Sequence, residues 1–248
     1  MRGFGVASLV MTLLLAARGS SQAASPTAGM SAAIQVPFVS CASDGQGGPQ
    51  RGPKNGGRVP SVSQSVGRSL AYYASADLGV LAPRGWHCFG LYGSDGSVLI
   101  VTPEPHHAAD FLGRNTGITG PVIQLSLSLG STSGRFEVAQ VAARLFPGKK
   151  AFVNRVIHEH IDPASDFPFR PYPSDSLTRR SDTDVEFKTP GNTDGMGTKG
   201  RLVKNSSPID GVAIMTADDN LVLLEARVPP DLRNLVPTII EQTRRASR

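Results

Sequence analysis

The most tempting chemical cluster in the sequence is His158-Glu159-His160, whose imidazoles and carboxylate are groups that zinc commonly binds. Residues from about 151 to 161 are also predicted to form a helix, and on a helix positions i and i+2 point about 200° apart. A zinc-protease helix needs its two histidines at i and i+4 instead. The cluster is therefore either one part of a metal site or the solvated end of a helix.

A second candidate site is the segment 130–134, Gly-Ser-Thr-Ser-Gly, which precedes a helix predicted from Arg135 to Phe146. Free N–H groups at a helix start bind anions, and Arg135 would add positive charge beside Ser133. Thr132 stands where a nucleophile elbow needs serine, and no Gly-Lys-Ser/Thr follows as in a phosphate loop. Ser133 and Arg135 are thus ligand-binding candidates, and an ordinary helix cap is the alternative.

Trp86 is the only tryptophan of the chain, and it offers either a ligand-stacking surface or a packing anchor beside Cys88. A row of carboxylates, Asp182, Asp184 and Glu186, alternates along a predicted strand and would project from one face. Such a row can bind calcium, or it can be a solvated face balanced by nearby basic residues. The sequence holds no complete catalytic signature and names no cofactor, so it leaves open whether the protein is an enzyme.

The first 23 residues have the layout of a secretory signal. Arg2 precedes a twelve-residue apolar run, Val6 to Ala17, and Ser21-Gln22-Ala23 supplies small residues for cleavage before Ala24. A helix of that length rises only ~18 Å, which is too short for a bilayer core of ~30 Å. No later stretch reaches 18 apolar residues, so the sequence predicts no membrane span.

Cys41 and Cys88 are the only cysteines, and an even count in an exported chain predicts one disulfide. The bridge would fasten a Gly- and Pro-rich arm, residues 24–60, to the strand that carries Cys88. We therefore expect a secreted or periplasmic protein. The formal charge of +5 is scattered among acidic residues, whereas a nucleic-acid binder concentrates its charge on one face, so no nucleic-acid partner is expected.

The remaining patterns predict one α+β domain over residues 61–248. Val62, Val66, Leu70 and Tyr73 have helical spacing and predict a helix from residue 61 to about residue 78. Asp95-Gly96 predicts a hairpin between two strands. Further strands are expected at about 123–129, 183–188, 200–205, 211–216 and 221–228, with a loop over 162–182. A closing helix follows Pro229 and contains Pro237, which is expected to kink it. This order predicts a largely antiparallel sheet with packed helices, similar to an α/β/α sandwich.

Three segments, residues 83–94, 132–138 and 167–173, resemble segments of a group of exported bacterial proteins without an assigned function. The order of a strand, Pro-x-Gly-Trp, a strand pair, helices and a closing strand and helix is also similar to the PsbP-like extrinsic photosystem subunits. This second resemblance implies an α/β/α sandwich and brings no activity with it.

These observations favour an exported, non-catalytic protein that binds a ligand or a protein partner. One alternative is an exported hydrolase that uses a metal or an acid–base pair from His87, His158, Glu159 and His160. The other is an envelope-associated structural accessory protein, for which the arm over residues 42–60 would matter most.

Overall fold

The computed structural model describes Met1 and residues 33–57, 59–111 and 117–247. Apart from Met1, the signal predicted over residues 1–23 lies outside the described residues, as does the start of the arm over residues 24–32. The described residues from 33 onward belong to one compact unit. No helix within the described residues combines the length and the hydrophobicity that crossing a membrane requires.

In the described part up to residue 102, every regular element is a strand except for one short helical turn. Its elements are β1 (Ala33–Gln35), β2 (Phe38–Ser40), β3 (Ser43–Gly45), β4 (Ser61–Ser63), a single helical turn α1 (Gln64–Gly67), β5 (Leu70–Ala74), β6 (Gly79–Pro83), β7 (His87–Gly93) and β8 (Gly96–Thr102).

The described part beyond residue 102 contains both helices and strands. Its elements are α2 (Ala108–Phe111), β9 (Val122–Ser128), α3 (Arg135–Leu145), α4 (Lys150–Ile157), β10 (Ser176–Ser181), β11 (Asp184–Thr189), β12 (Ile209–Met215), β13 (Leu221–Arg227) and α5 (Val236–Ala246). Short 3-10 turns occupy Pro147–Lys149, Ala164–Asp166, Met196–Thr198 and Pro230–Leu235.

Eight of the described strands form one sheet in the order β10-β11-β12-β13-β9-β8-β7-β3. Its neighbours are antiparallel except β3, which pairs in parallel with β7. A smaller sheet has the order β2-β5-β6, and β1 pairs with β4. The predicted α+β class with a largely antiparallel sheet is confirmed.

Side-chain alternation divides the core between the two faces of the large sheet. On one face, Leu99, Ile123 and Leu224 pack with the small sheet and α5. On the other face, Val185, Phe187 and Leu223 pack against α3 and α4, and a second cluster around Ile100 and Leu202 lies beside it. Because both faces bury apolar side chains, the sheet is the middle layer of the fold.

The predicted disulfide between Cys41 and Cys88 is present, with the two Cα atoms 5.4 Å apart. Cys41 follows β2 of the small sheet, and Cys88 lies on β7 of the large sheet. The bridge therefore joins the two sheets as well as the arm. The bridge spans 47 residues of sequence. In the loop-entropy model, closing a loop of this length raises the free energy of the unfolded chain by about 4 kcal/mol.

The helix predicted from residue 61 to about residue 78 is wrong, because the segment forms β4, the turn α1 and β5. Spacing of four and three residues suited a helix, but Tyr73 is fully buried in β5 and its hydroxyl donates to the Pro83 carbonyl. Pairing of β5 with β6 and β2 satisfies the backbone and overrides the local periodicity.

Three smaller expectations also fail. Residues 200–205 form no strand, since Leu202 makes only an isolated bridge to Ile118. The predicted loop over 162–182 contains β10. Pro237 does not kink the closing helix, because it lies in the first turn of α5, where its missing N–H is not needed.

Candidate functional site

Arg135 and Glu159, which the sequence places in two different candidate sites, are paired with each other. Arg135 begins α3, and its Nε lies 2.9 Å from Oε1 of Glu159, just beyond α4. The hydrogen bonds from Arg135 lower the pKa of the Glu159 carboxyl. Arg135 Nη1 also donates to the Thr132 carbonyl at 2.7 Å. Arg135, the candidate for binding an anion, and Glu159, the candidate for binding a metal, therefore form an ion pair that joins the start of α3 to the end of α4.

His158 and His160 lie on either side of Glu159 at the exposed end of α4. His158 caps the helix, and His160 has a left-handed backbone with φ of 55°. Among residues 33–57, 59–111 and 117–247, no group of three or more histidine, cysteine, aspartate and glutamate side chains is arranged to hold a metal.

Ser133 and Trp86 lie on opposite sides of the large sheet. Ser133 is exposed before α3, with its hydroxyl oxygen 3.3 Å from that of Ser94. Trp86 is half-buried and packs against the core on the side of the small sheet, and its backbone N–H donates to the Tyr73 hydroxyl at 3.0 Å. Ser133 and Arg135 are two residues apart in the sequence, and Trp86 lies away from both on the other side of the large sheet.

An open groove that the sequence analysis missed lies between α5 and the β10 end of the large sheet, with a volume of about 570 Å³. Both its sheet side and its helix side carry polar and charged side chains. The lining consists of Ser176, Thr178, Arg180, Glu186, Phe187, Lys188, Asp210, Gly211, Arg233, Val236, Pro237, Ile240, Glu241 and Arg244.

Strand alternation explains the polar floor of this groove. Ser176, Thr178 and Arg180 alternate along β10, and Glu186 and Lys188 alternate along β11, so each set projects toward one face. The predicted row of three carboxylates is reduced to two, because Asp182 lies in the turn between these strands. Asp184 and Glu186 do share a face. Both pair with the same arginine, so they do not form the predicted calcium site.

That arginine is Arg244 on α5, and it forms ion pairs with three carboxylates at or near the groove. Its Nε lies 2.6 Å from Asp184 Oδ2, and its Nη2 lies 2.7 Å from Glu186 Oε1. Burial alone would raise the pKa of Glu186, but hydrogen bonds from Arg180 and Arg244 hold it below its usual value. Arg244 also reaches Glu241 at 3.0 Å, and these bonds raise its own pKa.

Two cations at the groove are less committed. Lys188 is half-exposed, and its Nζ lies 3.6 Å from Asp210 Oδ1, which is long for an ion pair. Arg233 is exposed beside the start of α5, and the described residues offer it no ion-pair partner. Val236 and Ile240 add an apolar wall. This arrangement suits a ligand that carries carboxylates on an apolar or extended frame.

A second polar cluster lies buried on the opposite face of the sheet, around Gln124, Glu225 and Arg227. The Arg227 guanidinium donates to the backbone carbonyls of Ile118 and Val203, so it holds two loops together. Burial raises the pKa of Glu225 to about 8, and it lowers the pKa of Arg227. Because all three residues are buried, this cluster is a part of the core.

No protein-family model matches the chain, and comparison with curated proteins and with solved structures likewise gives no match.

Proposed function

We propose that the chain is an exported, non-catalytic binding protein whose groove between α5 and strands β10–β12 binds a carboxylate-bearing ligand or partner segment. The observation that carries this proposal is the pair of loosely committed cations, Lys188 and Arg233, beside an apolar wall.

The size of the groove supports binding of a ligand. Its volume of about 570 Å³ lies within the range of roughly 300 to 1,000 Å³ that is usual for small-molecule sites. Such sites combine apolar walls with a few convergent polar groups that fix the orientation of the ligand. Val236 and Ile240 supply the wall, and the hydroxyls of Ser176 and Thr178 supply neutral hydrogen-bonding groups.

The charges of the groove favour an acidic ligand. Asp184, Glu186 and Glu241 are occupied by Arg244, so they offer little attraction to a cation. Arg233 and Lys188 can turn toward a carboxylate without breaking a close ion pair. The described lining includes no histidine or cysteine, and arginines hold two of its carboxylates, Glu186 and Glu241, which favours binding over acid–base or nucleophilic catalysis.

Export completes the proposal. The signal predicted over residues 1–23 and the disulfide between Cys41 and Cys88 both fit an oxidising compartment, either the periplasm or the exterior of the cell.

Charge-reversal variants test the groove. Fluorescence anisotropy of labelled hexaglutamate should show binding to the purified protein that weakens as salt is added, because exposed charges are screened. Arg233→Glu and Lys188→Glu should each weaken binding at least about tenfold, since each replaces an attraction by a repulsion. Arg51→Glu is the matched control, because this exposed arginine follows β3 at the opposite edge of the sheet.

Two further probes separate the kinds of ligand. Glutarate that competes with hexaglutamate indicates a small-ligand site, whereas binding of hexaglutamate alone indicates an extended acidic partner segment. Labelled hexalysine should not bind. The proposal is wrong if hexaglutamate and hexalysine bind equally well, or if Arg51→Glu weakens binding as much as Arg233→Glu and Lys188→Glu do.

A further inference from the structure

The buried pair Gln124 and Glu225 is a cross-strand pair at the centre of the large sheet. The two residues lie directly opposite each other on β9 and β13, and their side chains are 4% and 1% exposed. The partner of Glu225 on its other side is Gly211 of β12, which has no side chain to offer. The carboxyl group of Glu225 therefore depends on Gln124 for its hydrogen bonds.

The hydrogen bonds of this pair are incomplete if Glu225 is ionised. Gln124 Nε2 donates to Glu225 Oε2 at 2.5 Å. The other oxygens, Oε1 of Gln124 and Oε1 of Glu225, are fully enclosed and have no described partner. Both are acceptors when the carboxyl is ionised, so neither can satisfy the other. One proton on Glu225 would supply the donor that this pair lacks.

We propose that Glu225 is a neutral carboxylic acid in the folded protein at neutral pH and that it shares its proton with the amide oxygen of Gln124. The carboxyl O–H donates to the Gln124 carbonyl, and the Gln124 amide N–H donates back to the carboxyl. Such an acid–amide pair is closed on itself and needs no water or counterion. It is independent of the groove proposed to bind ligand, which lies on the other face of the sheet.

The charged groups that face Glu225 make their described hydrogen bonds and ion pairs with other residues. Glu137 of α3 is neutralised by Lys199, whose Nζ lies 2.8 Å from its carboxylate. Arg227, two residues along β13, directs Nη1 and Nη2 to the carbonyls of Ile118 and Val203, and its buried Nε has no described hydrogen-bond partner, Glu225 included. Burial is thus the main cause of the raised pKa of Glu225, and Glu137 adds to it, whereas Gln124, Lys199 and Arg227 oppose it.

This proton makes the stability of the fold depend on pH. In the unfolded chain a glutamate ionises with a pKa of about 4.5, and in the folded protein Glu225 ionises with a pKa of about 8. Between these values the folded state holds a proton that the unfolded state has lost, so rising pH favours unfolding. The folding constant falls about tenfold for each pH unit between these two pKa values, which is roughly three thousandfold in all, and it is level above about pH 8.

The experiment combines side-chain carboxyl ¹³C NMR with urea denaturation between pH 5 and pH 9. In the wild-type protein we expect one glutamate resonance that titrates near pH 8 and is absent from Glu225→Gln. We also expect the folding constant of the Glu225→Gln variant to change little between pH 5 and pH 8, whereas the folding constant of the wild type falls steeply over the same range. Glu104→Gln, which changes an exposed carboxyl, is the control and should behave as the wild type.

The NMR measurement needs no variant to fold, so it decides the proposal by itself. If every glutamate carboxyl of the native protein is ionised at pH 6, the proposal is wrong. A wild-type stability that does not fall between pH 5 and pH 8 would also overturn it.

Discussion

At the scale of single residues, Arg244 is the side chain that holds the C-terminal helix to the polar end of the sheet. It lies between Asp184 and Glu186 of β11, and only 11% of it is exposed. The contact is made across about sixty residues of sequence, so it is a tertiary feature of the fold. Removing its charge leaves Asp184, itself 8% exposed, without a partner.

We expect Arg244→Ala to lower the free energy of unfolding by about 3 kcal/mol, because breaking a buried pair leaves an uncompensated charge. Arg245→Ala is the matched control, since Arg245 is the next residue of α5, is 72% exposed and pairs only with Glu241. Its loss should stay below about 1 kcal/mol, as for exposed ion pairs. Urea denaturation at pH 7 measures both, and equal losses would contradict this assignment.

At the scale of elements, the β7–β8 hairpin depends on the backbone of Gly96. This residue has φ of 144° and lies opposite Gly93 at the turn. A Cβ at position 96 would overlap the Leu127 carbonyl of the neighbouring strand β9. The Asp95-Gly96 dipeptide that predicted the hairpin therefore has a second role, since it lets β9 approach β8 closely.

Gly96→Ala is expected to lower the free energy of unfolding by about 2 kcal/mol or more, because the residue must adopt a strained backbone and displace a paired strand. Gly120→Ala provides the comparison, since a Cβ there meets no atom within 4 Å. It should have no effect or stabilise by up to about 1 kcal/mol through the unfolded state. Thermal unfolding followed by circular dichroism distinguishes them, and similar midpoints would refute the steric explanation.

At the scale of the whole molecule, the large sheet separates two chemical environments. Its α5 face carries the open groove and its charged rim, whereas the α3 and α4 face buries the Gln124–Glu225 pair. The disulfide belongs to neither the groove nor the buried pair, and it joins the small sheet to the large one. Ligand binding and the response of stability to pH are therefore expected to vary independently.

The proposed export predicts a defined mature product. Mass spectrometry of protein recovered from outside the cytoplasm should give residues 24–248 with a mass two hydrogens below that of the reduced chain, since Cys41 and Cys88 are oxidised. Reduction and alkylation of the unfolded protein should add two alkyl groups, whereas alkylation without reduction should add none. An uncleaved N-terminus, or free thiols in the exported material, would remove the basis for the proposed compartment.

Local chemistry was enough to predict much of the fold. Asp95-Gly96 predicted a tight turn, and the alternation along Ile123, Leu125 and Leu127 predicted a strand, because each pattern reflects constraints within a few residues. Two cysteines permit only one intramolecular pairing, so the disulfide followed from their number and the proposed export. By contrast, the apolar residues up to Tyr73 have helical spacing, but residues 70–74 form strand β5, because pairing with β6 is a stronger constraint than local periodicity.

The sites depended on contacts that no local pattern contains. Sequence alone placed Asp184 and Glu186 on one face, but it could not show that Arg244 would neutralise them and leave Arg233 and Lys188 at the rim of a groove. Likewise, Gln124 and Glu225 are separated by 101 residues, and only strand pairing places them together out of water. Propensity acts over a few residues, whereas desolvation and charge pairing depend on neighbours that the folded chain brings from afar.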